Sequence, residues 1–187
     1  MQHGVMPMGN RLAVGVSKYN LGARSLHWLI ALAMAGMYLT DQARDFYERG
    51  APERDWWLGI HASLGISIFI LTLVRIFWRL ISQSPEALPA SPLIHLGAKL
   101  GHLALYCATL GLPVSGFLRY ASSGRDITLF GNTIASPFGK NDTLNQIGDL
   151  LHNGLWTNLL LALIGLHVAA ALYHQFVLKD GTLKRMA

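Results

Sequence analysis

Four stretches of this chain, residues 26–40, 57–80, 94–118 and 150–178, are dominated by apolar side chains. Arg75, Arg79 and Lys99 are the only Asp, Glu, Lys or Arg within them. The hydrocarbon layer of a bilayer is about 30 Å thick and takes about 20 apolar residues in helical form. The last three stretches meet that length with some tilt, and the first meets it once residues 20–25 and 41 are added. A backbone in hydrocarbon must satisfy its own hydrogen bonds, which leaves helices as the spanning form for runs of this kind. Composition agrees: 52% of residues are hydrophobic and 13% charged, where a soluble domain carries about a quarter charged residues. The expectation is an all-α integral membrane protein, a four-helix bundle. Pro113 is tolerable near the end of the third helix and should bend it.

Seven of the eight histidines fall in or at the ends of these stretches. Ionisable side chains are costly in hydrocarbon and usually serve a purpose there. His152, His167 and His174 share the last stretch. At about 100° per residue, His167 and His174 differ by about 20° and His152 lies within about 60° of both. His152 and His167 are separated by about 22 Å of helical rise, most of a hydrocarbon core. One helix face therefore offers ligands at two depths, which points to two metal centres, one near each membrane face.

Basic residues divide unevenly between the two sides. The N-terminal segment, the second connection and the tail hold nine Lys and Arg against two acids; the other side holds six against eight. The excess of Lys and Arg predicts that both termini are cytoplasmic. The formal net charge of +5 is thus a topology signal, not a nucleic-acid surface. Residues 1–20 read as a flexible cytoplasmic arm and residues 21–187 as one transmembrane domain. The first stretch, with its basic start, has the outline of a cleaved secretory signal, but cleavage would remove His27 together with Trp28. The single cysteine, Cys107, excludes an internal disulfide and thiolate metal clusters, and reads as a small core residue.

Depth sorts the histidines into layers. With the termini inside, His61 and His152 both lie near the outer face and form a natural pair. The inner layer holds His27, His102, His167 and His174, more than one centre requires, and depth alone does not choose among them. Zinc would want several ligands clustered together, whereas these histidines stand singly on separate helices. A haem needs only two axial ligands on opposite sides of a flat ring. Gly65, Gly97, Gly101 and Gly165 stand near the histidines and would give a ring room. Arg24, Arg75, Arg79 and Lys99 inside, and Arg44, Arg119 and Arg125 outside, would meet propionates, or else snorkel to the interface.

The residues carrying this pattern occur in an order that resembles the bacterial four-helix cytochrome b561 family, akin to the cytochrome b subunits of nickel-iron hydrogenases and formate dehydrogenases. Five pieces carry the resemblance across residues 22–187: Arg24-x-Leu26-His27-Trp28; His61-x-Ser63-x-Gly65 followed by Arg75 and Arg79; His102-Leu103-x-x-Tyr106; Leu112-Pro113-x-x-Gly116; and a tail of Leu166-His167, His174-x-Phe176, Asp180, Leu183 and Arg185-Met186. The resemblance implies two b-type haems. His27 and His167 would hold the cytoplasmic-side haem, and His61 and His152 the periplasmic-side haem. His102, His174 and Lys99 are then left near the inner haem, where they would contact a quinone headgroup or the propionates. His95 reads as solvated and His3 as uninvolved. The family pattern places the two fourth-helix ligands one residue closer together than His152 and His167. The extra residue would rotate one ligand by about 100°, and a local π-bulge would absorb it.

The function implied is electron transfer across a bacterial inner membrane by a multi-pass protein, the protein setting ligands, burial and hydrogen bonding around each haem. The most specific form is oxidation of superoxide to oxygen coupled to reduction of ubiquinone, a superoxide:ubiquinone oxidoreductase. A basic outer funnel would steer that anion, yet the outer loops carry more acids than bases. A second reading is a cytochrome b subunit relaying electrons between a periplasmic redox protein and the quinone pool, with residues 41–57 as its docking loop. A third is a haem-free carrier using its histidines for protons or metal ions, against which stands the lack of a broken-helix, repeat-built pattern. Membrane lipid is a partner in every case and nucleic acid in none. No residue is assigned to direct catalysis.

Overall fold

A computed structural model describes residues 17–86, 88 and 91–187; most of the N-terminal arm expected over 1–20, His3 included, lies outside the described residues. Four long helices run α1 (Leu21–Arg44), α2 (Pro52–Ile81), α3 (Pro92–Ala121) and α4 (Asp142–Leu178). A small antiparallel hairpin, β1 (Ile127–Leu129) and β2 (Asn132–Ile134), interrupts the third connection. Among the described residues three helices, α2, α3 and α4, are long and apolar enough to cross a membrane. α1 has 24 residues but its apolar run is shorter, as its sequence suggested.

The helix starts follow local chemistry. Asn20 caps α1, its Oδ1 accepting from the Ala23 amide at 2.9 Å, and Asn141 caps α4 through Leu144 at 3.0 Å. Pro52 and Pro92 open α2 and α3, where a missing amide proton costs nothing.

Side chains are arranged inside out relative to a soluble bundle. The buried apolar cluster is small, built on Ala108, Leu112 and Leu160. Large apolar residues instead face outward: Leu32 is 69% exposed, Leu103 58% and Leu166 67%. Water would not tolerate so much apolar surface, whereas lipid solvates it. The chain is a helical membrane bundle.

The two ends of the bundle are closed differently. At the termini end, Arg185 of a short 3₁₀ turn (Leu183–Arg185) is buried and donates to the carbonyls of Ser17 and Glu86. Trp28 Nε1 donates to Met186 O at 2.8 Å, fastening the tail beside His27. At the other end the hairpin turns over at Phe130 and Gly131, both at positive φ (50° and 78°), as a two-residue hairpin loop demands. Phe130 N donates to Ser63 Oγ at 2.8 Å and Ile127 is 3% exposed, so the hairpin packs against the N-terminal half of α2.

Candidate functional site

α4 is not a uniform α-helix. Residues Leu150–Trp156 wind as a π-helix between α segments Asp142–Asp149 and Thr157–Tyr173, and His174–Leu178 wind as a second π segment. The π turn anticipated from the one-residue surplus between His152 and His167 is present. Its i→i+5 bond runs from Thr157 N to His152 O. Contacts with α3 hold it: a Cβ on Gly111 would fall 2.6 Å from the Trp156 ring, and one on Gly148 2.6 Å from the Arg119 amide nitrogen. Arg119 also pairs with Asp149 at 2.7 Å. α3 and α4 therefore cross too closely here for any larger residue at these glycines.

This crossing delivers His152 to the hairpin end, where its ring faces that of His61 from α2 at a centroid separation of 6.2 Å. Both rings are fixed from behind. His152 Nδ1 lies 2.9 Å from Leu112 O, a carbonyl that can only accept, so Nδ1 carries the proton and Nε2 the lone pair. His61 Nδ1 lies 3.2 Å from Thr40 Oγ1. Gly116 faces the His152 ring so closely that a Cβ there would meet Cε1 at 2.7 Å; sequence reading placed this glycine in a motif without seeing why. The pair opens on a cavity of about 700 Å³ that is also lined by Gly65 and Phe69. Its rim gathers Arg44, Arg49, Arg54, Arg119 and Arg125, with Asp41 and Asp55 between them. The loops at this end are acidic in sum, but folding concentrates arginines at the mouth.

At the termini end His27 of α1 and His167 of α4 face each other with centroids 6.1 Å apart, and His102 of α3 stands 5.9 Å from His167. His102 is exposed on the bundle surface. His174 is drawn away into the tail: its Nδ1 sits 2.5 Å from Asp180 Oδ2 and 3.3 Å from Thr182 Oγ1. Lys99 is exposed, one turn before His102. Of the four inner-layer histidines, three thus come together and His174 does not. Of the glycines read as making room, Gly65 lines the cavity, while Gly97, Gly101 and Gly165 have open space where a Cβ would stand.

Two facing imidazole pairs at two depths in a helical membrane bundle are an arrangement that axial haem ligation can use. The model of the prokaryotic cytochrome b561 family matches residues 18–187, and the chain belongs to that family. It is 34% identical over 182 residues to cytochrome b561 homolog 2 of Escherichia coli (strain K12), covering 90% of each chain. It is 33% identical over 174 residues to the probable superoxide oxidase CybB of Yersinia pestis, covering 90% of this chain and 95% of that one. Cytochrome b562 of Cereibacter sphaeroides is 31% identical over 166 residues, 87% and 90% of the two chains. The protein is accordingly a bacterial membrane cytochrome that binds haem b and transfers electrons. Family membership removes the haem-free carrier reading.

Proposed function

We propose that the chain holds two haems, His61 with His152 at the hairpin end and His27 with His167 at the termini end, and moves electrons from superoxide outside to ubiquinone. The observation that carries the reading is the pair of ring separations, 6.2 and 6.1 Å. A metal bound at about 2 Å by each of two imidazole nitrogens sets ring centroids on the order of 6 Å apart. The hairpin-end cavity has the size of a large planar cofactor, and its arginines suit propionates. Bound haem supplies one-electron redox chemistry at each depth.

The polypeptide does the rest. The excess of Lys and Arg at the termini end supports a hairpin end on the periplasmic side of a bacterial inner membrane. Arg44, Arg54, Arg119 and Arg125 at the mouth are paired with Asp41, Asp45, Asp149 and Asp55, which leaves Arg49 among the described residues to draw a small anion. At the termini end His102 combines exposure on the lipid-facing surface with contact to His167, so a quinone arriving from the bilayer meets an imidazole beside the inner centre. His102, with His174 and Lys99 at the same end, would position the quinone head and pass protons. The balance is two superoxide anions, one ubiquinone and two protons giving two oxygens and one ubiquinol. The similarity to a probable superoxide oxidase supports this choice of donor.

The test is superoxide delivered to purified oxidised protein with ubiquinone in detergent, watching the haem spectrum and ubiquinol together. Reduction of the haems, with one ubiquinol formed per two superoxides, is expected. Two haems per chain that superoxide leaves oxidised would instead favour a redox-protein donor at the hairpin end.

A further inference from the structure

We propose that Thr40 is a positioning residue that tunes the hairpin-end centre through His61. The inference rests on the haem reading above and concerns a residue that reading does not use. Thr40 is 5% exposed near the end of α1. Its hydroxyl proton is committed: Oγ1 donates to Met37 O, one turn back, at 2.7 Å. What remains on that oxygen is lone-pair density, and it faces His61 Nδ1 at 3.2 Å. Both neighbours of the ring nitrogen, Thr40 Oγ1 and the Met37 carbonyl beside it, are acceptors, so His61 Nδ1–H donates toward them. That fixes the tautomer and leaves Nε2 of His61 with the lone pair a metal needs.

His152 is brought to the same tautomer by an unrelated acceptor, the Leu112 carbonyl at 2.9 Å. The two rings of the hairpin-end pair are thus preset for ligation from opposite sides. Nothing equivalent is found behind His27 or His167, whose ring nitrogens make no hydrogen bond among the described residues. An acceptor behind an axial imidazole raises its basicity and orients it. A more basic ligand favours the oxidised iron and lowers the potential. Thr40 therefore holds the hairpin-end potential down and the His61 ring in place, and the termini-end centre has no such device.

The test compares Thr40→Val, which keeps the shape and removes the hydroxyl, with Thr40→Ser, which keeps the hydroxyl. Each purified holoprotein is titrated spectroscopically against potential. The hairpin-end haem is assigned as the one lost in His61→Ala. Thr40→Val is expected to raise the midpoint of that haem and leave the other unmoved, with Thr40→Ser close to the parent. Loss of one haem in Thr40→Val that Thr40→Ser retains supports the same role, because an unheld imidazole binds less well. The proposal is overturned if Thr40→Val moves neither midpoint or both alike, or if Thr40→Ser behaves as Thr40→Val does. A parent chain that binds no haem overturns the functional reading and this one together; two haems in the parent with no effect of Thr40→Val overturns this one alone.

Discussion

The two ends of the bundle present the same motif, a pair of facing imidazoles about 6 Å apart, in different settings. At the hairpin end each ring has a hydrogen-bond acceptor behind it, Thr40 for His61 and Leu112 O for His152, and the pair opens on a large cavity with an arginine rim. At the termini end His27 and His167 have no such partners among the described residues, and a third imidazole, His102, crowds the pair from the surface. The strongest acceptor there, Asp180, goes to His174, which stands outside the cluster. The difference separates two tasks. Under the proposed function, rings held from behind suit a centre of fixed ligation that receives electrons from an anion in water. A looser pair beside an exposed imidazole suits exchange with a carrier dissolved in lipid.

The comparison breaks most visibly if the pairs are not independent centres. His61→Ala is expected to lower haem content from two to one per chain, and His27→Ala to remove the other one, each measured by reduced-minus-oxidised spectra with the pigment extracted and counted. If His102 substituted for His27, whose ring stands at nearly the same distance from His167, His27→Ala would retain both haems and the assignment at that end would change.

Division of labour is the next point to probe. Under the proposed function, His102→Ala is expected to keep both haems and their reduction by superoxide, while ubiquinol formation falls about a hundredfold, the usual scale for losing a positioned proton-transfer group. Equal slowing of both half-reactions would place His102 in the structure of the inner centre and not in quinone chemistry. A smaller effect belongs to the hairpin end. Gly116→Ala sets a methyl 2.7 Å from the His152 ring, and moving that ring breaks its bond to Leu112 O. Overpacking of this kind costs about 1–3 kcal/mol, read as a lower thermal midpoint with looser haem at the hairpin end alone. An unchanged midpoint and haem content would show that the crossing of α3 and α4 has slack.

Much of this architecture could be read before folding. Apolar runs of spanning length set the four helices, because hydrocarbon leaves the backbone few alternatives. Depth alone paired His61 with His152, since of the described histidines only those two lie near the hairpin end. It left four histidines at the other end, and three of them do gather there. The surplus residue between His152 and His167 pointed to the π turn at Leu150–Trp156. The hairpin was not anticipated: strands of three residues carry too little alternation to stand out, and its loop residues Phe130 and Gly131 are not one of the usual two-residue turn pairs. Thr40 was invisible for another reason. Its role depends on the rotation of α1 against α2, which no spacing within one segment reveals. The rim arginines were named from the sequence, Arg44, Arg119 and Arg125 as partners for propionates, but summed loop charges could not tell that they gather at one mouth.

The smallest expected effect concerns the tail at the termini end. Asp180 lies beyond the apolar stretch of α4. Burial pushes its carboxyl up, but hydrogen bonds from the Thr182 side chain, from His174 and from the Thr182 amide outweigh that and lower it from the ordinary 3.8 to about 2. A carboxyl lowered on folding stabilises the fold while ionised. Its contribution is therefore complete above about pH 4 and is lost as the pH falls toward about 2. Because about a quarter of the side chain is exposed, solvent screening keeps that contribution small. Asp180→Asn removes the titration and keeps one acceptor oxygen, enough for the Thr182 amide or for His174 but not for both. The gap in thermal midpoint between the parent and Asp180→Asn should be modest and steady at neutral pH and close between about pH 4 and pH 2. A gap that persists at pH 2 would mean that shape, not charge, holds the tail on His174. In that case the contrast between the ends narrows to the acceptors behind His61 and His152, and the carboxylate has no part in it.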